Sequence, residues 1–245
     1  MKIAIISDLH SNIEALQACL DRAQSLNVEQ YVCLGDIVGY GPDPATTLEM
    51  LRTLPDVVVI RGNHEEALFG TYYRGLRQHI RQTIDWTKQQ LSDSQLQYLQ
   101  ALPYQQQVQG MTMVHATADQ PEKWSYLYNT ELAGKCMQAS DTQLTFVGHT
   151  HQPEVFYETP AGQIKCLTPQ AGVRIPVYQR GRYVINVGSV GQPRDDINAA
   201  SFVVYDTTER ELIFCRVAYE YTLTAKKIID CGLPALFAER LAKGH

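Results

Sequence analysis

The stretch Lys2-Ile3-Ala4-Ile5-Ile6-Ser7-Asp8-Leu9-His10-Ser11-Asn12 opens the chain with a short apolar run that stops at an aspartate and a histidine two residues apart. A run of this kind reads as a buried strand that delivers polar side chains into the loop at its end. In extended backbone residues i and i+2 point to the same side, so the Asp8 carboxylate and the His10 imidazole are expected to face one point past the strand. A cation held there needs further ligands, which must come from other parts of the chain.

The same pattern recurs. Asn12 can cap a helix that carries Ile13, Leu16, Leu20, Ala23 and Leu26 at helical spacing. Residues 31–34 read as a second buried strand, ending in Gly35-Asp36-Ile37-Val38-Gly39-Tyr40-Gly41. Asp43-Pro44 supplies a cap and a first-turn proline for a helix to about Leu51, and residues 57–60 form a third apolar run before Arg61-Gly62-Asn63-His64-Glu65. Alternating strands and helices predict a largely parallel sheet whose ligands gather at the strands' carboxyl ends. Residues 72–102 read as helical, with Ser92-x-x-Gln95 as a capping box. Strand character returns at residues 111–116 and 144–151, with His115, His149 and His151 at the ends. Residues 183–187, 201–205 and 211–218 predict a second, more antiparallel sheet, and helices are expected near residues 222–229 and 235–241.

Composition narrows the function classes. With 245 residues, 44% of them hydrophobic and 19% charged, one domain spanning 1–245 with a substantial core is expected. A net charge of -5 and the lack of any lysine or arginine run argue against a groove for duplex nucleic acid. The opening apolar run is too short for a membrane span or a signal-peptide core, so no membrane association and a cytoplasmic location are expected. Six scattered cysteines without a C-x-x-C spacing suggest reduced, mostly buried thiols.

Of seven histidines, His10, His64, His115, His149 and His151 follow short apolar runs, whereas His79 and His245 are expected at the surface. Together with Asp8, Asp36 and Asn63 they make a thiolate-free oxygen and nitrogen set too large for one tetrahedral ion. It suits two borderline divalent cations, manganese first, with iron, zinc, nickel or cobalt as alternatives. Two such ions roughly 3.5–4 Å apart can share a hydroxide nucleophile and clamp a phosphoryl group.

In this order, Asp8-x-His10, Gly35-Asp36, Gly62-Asn63-His64-Glu65, His115 and Gly148-His149-x-His151 resemble the calcineurin-like metallophosphoesterases, in particular their small bacterial and archaeal branch. The resemblance implies an α/β fold, a four-layer αββα sandwich of two mixed β-sheets flanked by helices. It implies that Asp8, His10 and His151 bind a first metal, that Asn63, His115 and His149 bind a second, and that Asp36 bridges them. His64 then resembles the family's non-ligand histidine, placed to protonate the leaving oxygen or to stabilise charge on the phosphate. The second block lacks the Gly-Asp-x-x-Asp-Arg continuation of the protein phosphatases, so that activity is not expected.

The segment from Asn186 to Asp195 also resembles a recurrent element of this branch. Its glycines could bring backbone amides to a phosphate and Arg194 could bind it bidentately, or the segment is a tight loop with Arg194 in a surface ion pair. Asn12, besides its cap reading, is a candidate substrate contact. Arg61 is read as a loop anchor, Tyr40 as a wall of the site, and residues 72–102 and 119–139 as shaping the pocket. The expected activity is hydrolysis of phosphodiesters or small phosphate esters by a metal-bridging hydroxide. A protein-binding scaffold of the same fold and a single-strand nuclease are the competing readings, and self-association is left open.

Overall fold

The computed structural model describes residues 1–245, the side chain of Thr71 apart. The first half runs β1 (Lys2–Ile6), α1 (Ile13–Ser25), β2 (Gln30–Cys33), α2 (Pro44–Arg52), β3 (Val57–Val59), α3 (Asn63–Ala67), α4 (Gln78–Gln90) and α5 (Asp93–Ala101). It continues through β4 (Gln105–Val108), β5 (Met111–Val114), α6 (Thr130–Ala139) and β6 (Leu144–Val147). Strands β7 (Glu154–Glu158), β8 (Ile164–Leu167), β9 (Arg174–Pro176), β10 (Tyr183–Asn186), β11 (Ala200–Asp206) and β12 (Glu211–Val217) precede helices α7 (Tyr221–Asp230) and α8 (Ala235–Lys243).

Two mixed six-stranded sheets result, ordered β3-β2-β1-β11-β12-β9 and β4-β5-β6-β10-β7-β8. In the first, β1, β2 and β3 are parallel, with Ile6 opposite Cys33 and Cys33 opposite Val59, so their following loops all leave from one edge. In the second, β5, β6 and β10 are parallel, with Phe146 opposite both Met113 and Ile185. Alternation along β1 sorts its side chains between layers. Ile3 and Ile5 enter the core between the sheets beside Phe146 and Ile185, while Ala4 and Ile6 pack under Leu16 and Cys19 of α1. Helix α6 covers the outer face of the second sheet through Ala133, Cys136 and Met137, completing the four-layer sandwich.

Several expectations need correction. The late β-rich runs do not form one sheet: β10 sits inside the second sheet, parallel to β6, while β11 and β12 extend the first beside β1. An apolar period identifies a strand but not its partner, which only tertiary packing selects. Asp43 takes the expected N-cap position of α2 before Pro44 but makes no side-chain capping bond; its carboxylate instead accepts from Lys227 Nζ at 2.9 Å. The Ser92–Gln95 capping box of α5 is present, and Asn12 Oδ1 caps α1 by accepting from the Ala15 N–H at 3.1 Å. All six cysteines are free thiols, with Cys166 and Cys231 exposed and the other four buried. Among the described residues, no helix is long and apolar enough to cross a membrane.

Candidate metal centre

Asp8, His10, Asp36, Asn63, His64, His115, His149 and His151 meet at the edge where the parallel strands of both sheets end, and none is more than 5% exposed. They converge, but not through the strand pleat. β1 ends at Ile6, and both Asp8 (φ 55°) and His10 (φ 46°) lie in the left-handed region, as do Asp36, Tyr40, His149 and His151. Each bend costs a non-glycine residue energy and turns the chain back at once, aiming successive side chains inward. Strain of this kind accumulates at sites held by their surroundings.

Hydrogen bonding fixes where the imidazole lone pairs point. His10 Nδ1 lies 3.2 Å from Val38 O, His115 Nδ1 lies 2.8 Å from Leu34 O, and His151 Nδ1 faces Gln192 O. For His149 the ring is reversed, with Nε2 3.1 Å from Trp124 O. A carbonyl only accepts, so each of these nitrogens carries the proton and the other nitrogen of each neutral ring presents a lone pair. Those lone pairs face one another: His10 Nε2 is 3.2 Å from His151 Nε2, and His115 Nε2 is 3.2 Å from His149 Nδ1. Lone pairs aimed together in a buried site repel, and a cation between them reverses the sign.

The oxygen donors complete two groups. Asp8 Oδ1 stands 3.2 Å from His151 Nε2 and 3.8 Å from His10 Nε2, yet it is buried without a hydrogen-bond partner among the described residues. Asn63 Oδ1 is 3.1 Å from His115 Nε2. Between the groups, Asp36 Oδ2 lies 3.4 Å from His115 Nε2, 3.8 Å from His10 Nε2 and 4.0 Å from His64 Nε2. Burial alone would raise the Asp36 carboxyl, but the surrounding imidazoles, His115 foremost, hold it well below the usual carboxylate range. Burial likewise pulls the His115 imidazole down, and the carboxylates of Asp36 and Asp8 outweigh it, raising His115 to about 9, so at neutral pH its Nε2 carries a proton that a cation would displace to reach the lone pair. The pocket therefore attracts positive charge, and the donor set is positioned for metal binding.

The sequence alone points to no role for Glu65. Its fully buried carboxylate accepts from the backbone N–H groups of Asp36 (2.8 Å), Ile37 (2.8 Å), Val38 (3.2 Å) and Gly62 (2.8 Å). One side chain thus ties the loop after β2 to the start of α3. Gly62 permits that approach, since a Cβ there would stand 2.3 Å from Asp36 N and 2.2 Å from Asp36 Oδ1. The His64 N–H donates to Asp36 Oδ1 at 2.8 Å, while its buried Nδ1 has no partner among the described residues. Burial pushes the His64 imidazole down to about 4.

The loop from Asn186 to Asp195 spends its amides on the fold. The Val190 and Gly191 N–H groups donate to Ser7 O (3.0 Å) and Asp8 O (2.8 Å), and Ser189 Oγ donates to Asp8 O at 2.9 Å. It buttresses the Asp8 turn rather than offering those amides to a phosphate. Arg194 is not in the surface ion pair considered above; Asp195 pairs with Arg216 instead. Its guanidinium lies 5.9 Å from the centre of the Tyr40 ring and donates from Nη2 to Gln192 Oε1 at 3.1 Å. Asn12 is committed elsewhere: Oδ1 caps α1, and Nδ2 donates to Gly191 O (2.9 Å) and Tyr219 Oη (3.1 Å). These bonds give Asn12 a structural role beside the cluster.

Arg61 anchors its loop as expected, donating to Glu66 Oε2 at 2.9 Å and Tyr104 Oη at 3.2 Å. Tyr40 is a wall, its ring 4.4 Å from those of both His10 and His64. Tyr126 stacks on His149 at 4.2 Å and Tyr72 meets Trp124 edge-on at 6.2 Å, so the two segments expected to shape the pocket both reach it. A cleft of about 940 Å³ opens elsewhere, between the sheet edges, lined by Val155, Tyr157, Leu167, Ile175 and Tyr183. It contains none of the converging donors.

Residues 1–210 match the family model of the calcineurin-like phosphoesterase superfamily domain. The chain is 35% identical to an uncharacterized protein of Methanocaldococcus jannaschii, with 99% of this chain and 98% of that protein aligned. The crystal structure of a metallophosphoesterase from Sphaerobacter thermophilus superposes with a TM-score of 0.90 at 37% identity, covering 100% of this chain and 99% of that one. A shorter stretch, 26% of this chain and 24% of the relative, is 37% identical to a symmetrical bis(5'-nucleosyl)-tetraphosphatase of Psychromonas ingrahamii. With the family model matching residues 1–210 and its Asp, His and Asn donors gathered at the strand ends, the chain belongs to the calcineurin-like phosphoesterase superfamily.

Proposed function

We propose that this protein hydrolyses phosphodiesters or other small phosphate esters with the help of two divalent cations, manganese being the first choice. The observation that carries the reading is the set of imidazole lone pairs turned inward by backbone carbonyls onto two buried carboxylates. Asp8, His10 and His151 would hold one cation, and Asn63, His115 and His149 the other. Asp36 would serve both, because Oδ1 is fixed by the His64 N–H while Oδ2 lies near His10 on one side and His115 on the other. When bound, such ions supply Lewis acidity at phosphorus and make water nucleophilic near neutral pH.

The chain's own residues then orient and complete the reaction. His64 stands at the rim of the donor cluster, where a donated N–H would reach the phosphoryl or leaving oxygen. Tyr40 packs both His10 and His64 in place and helps exclude water. Arg194, free of any carboxylate within 4.0 Å among the described residues, is available to a non-reacting phosphate oxygen. The test is a panel of phosphodiesters, monoesters and phosphoanhydrides, including a dinucleoside tetraphosphate, offered to the manganese-loaded protein and to Asp36→Ala. Turnover of at least one class, abolished in Asp36→Ala, is expected. A manganese-loaded protein that hydrolyses none of them overturns the reading.

A further inference from the structure

The loop after β2 and the helix pair α7–α8 meet over Tyr40. Its ring stacks on Phe237 of α8, with centroids 4.6 Å apart and planes 27° from parallel, and Ile228, Leu233 and Leu241 close the cluster. The family match ends at residue 210, so both helices lie beyond it, yet they pack on the aromatic wall of the donor cluster. Two guanidinium groups flank this stacked pair. That of Arg194 is 5.9 Å from the Tyr40 ring centre, and that of Arg240 is 5.9 Å from the Phe237 ring centre.

Their relative position is fixed by the backbone. The Asp196 N–H, two residues after Arg194, donates to Gly244 O at 2.9 Å, four residues after Arg240. Among the described residues neither arginine has a carboxylate within 4.0 Å, although Asp195 and Asp196 lie next to one of them in sequence. Burial and then the nearby positive charges of Arg194 and Arg77 lower the Arg240 pKa, so these charges oppose one another. Like charges held together without a counterion cost stability, and a bound anion reverses that cost. A guanidinium fork matches phosphate oxygens in pairs, which a lone surface lysine does not. Arg194 also faces the reacting side, since the Tyr40 ring beside its guanidinium packs 4.4 Å from the rings of both His10 and His64.

We propose that Arg194 and Arg240 form a subsite for a second phosphate of the substrate, one not undergoing attack. The preferred substrates are then small molecules with two or more linked phosphates. This rests on the phosphoesterase reading above, and it makes Arg240 a specificity residue supplied by the C-terminal helices.

The probes are inorganic orthophosphate, pyrophosphate and tripolyphosphate, titrated calorimetrically into the full chain in excess manganese. The parent is expected to bind a linked phosphate at least about ten-fold more tightly than orthophosphate, the scale of one or two hydrogen bonds to a charged group. Arg240→Ala should remove about ten-fold of that preference, and Arg240→Lys should restore part of it while keeping the charge. Inhibition of ester hydrolysis by pyrophosphate should be competitive; non-competitive inhibition would mean a separate regulatory anion and would overturn the substrate subsite. An unaltered preference in an Arg240→Ala protein with parental thermal unfolding overturns it as well. Failure of every anion, orthophosphate included, to bind the manganese-loaded parent would instead count against the phosphoesterase reading itself.

Discussion

His64 and Glu65 are neighbours at the start of α3, yet they face opposite demands. His64 looks into the donor cluster from 4.0 Å, whereas Glu65 looks away and ties down four backbone amides. If His64 assists departure of the leaving oxygen, its loss should matter most for a basic leaving group, by about 10²–10⁴-fold. His64→Ala should therefore slow alkyl or nucleoside esters far more than p-nitrophenyl esters, with metal content kept at the parental level. Equal losses on both substrates would reduce His64 to electrostatic binding of phosphate. For Glu65, replacement by Gln keeps the shape but turns one acceptor into a donor facing two N–H groups. Each unsatisfied buried group costs about 1–3 kcal/mol, so Glu65→Gln should destabilise the protein by roughly 2–6 kcal/mol in denaturant unfolding. A loss under about 1 kcal/mol would show that the cradle is dispensable. The converging donor side chains were legible in sequence because each follows an apolar run, a local feature. The groups that orient them were not, since the Val38, Leu34, Trp124 and Gln192 carbonyls become partners only when distant loops meet.

At the level of elements, strands with continuous apolar runs declared themselves, and β1, β2, β3, β5, β10, β11 and β12 lie within a residue or two of their expected places, while β6 stops at Val147, four residues before the end of its expected run. The unrecognised β4 reads Gln105-Gln106-Gln107-Val108, three exposed glutamines that become a strand only by pairing with β5. Strands β8 and β9 are likewise largely exposed edge strands, where neighbour pairing rather than burial decides. Helix α6 carries Ala133, Cys136 and Met137 at helical spacing under an Asn129 cap, the same local signal that marks α1. The junction of β2, its loop and α3 depends on Gly62 lacking a side chain. Gly62→Ala would push a methyl group against the Asp36 backbone, and such overpacking costs about 1–3 kcal/mol. The variant should unfold at lower denaturant and retain less manganese after dialysis, because the same contact displaces Asp36. Parental metal retention would show that the loop can move without disturbing the site.

Across the whole molecule, the sandwich brings strand ends from two sheets to one edge and so gathers donor side chains as distant in sequence as Asp8 and His151. Convergence has an energetic cost. Asp8, His10, Asp36, Tyr40, His149 and His151 all hold left-handed backbone, at roughly 1–3 kcal/mol each, and carboxylates and imidazoles are buried together. The core between the sheets offsets part of this, and bound cations would offset more, because they bind the folded arrangement and not the separated ligands of the unfolded chain. A ligand at 100 times its dissociation constant adds about 2.7 kcal/mol to folding stability. For a chain of this size each kcal/mol moves the unfolding midpoint by roughly 2–4 °C. Adding saturating manganese to chelator-treated protein should therefore raise Tm by about 5–10 °C per tightly held ion. In Asp36→Ala, which lacks the carboxylate shared by both groups of donors, the rise should shrink toward zero even where the apo proteins melt alike. A parental-sized rise in that variant would remove Asp36 from the shared position and leave the two groups of donors independent.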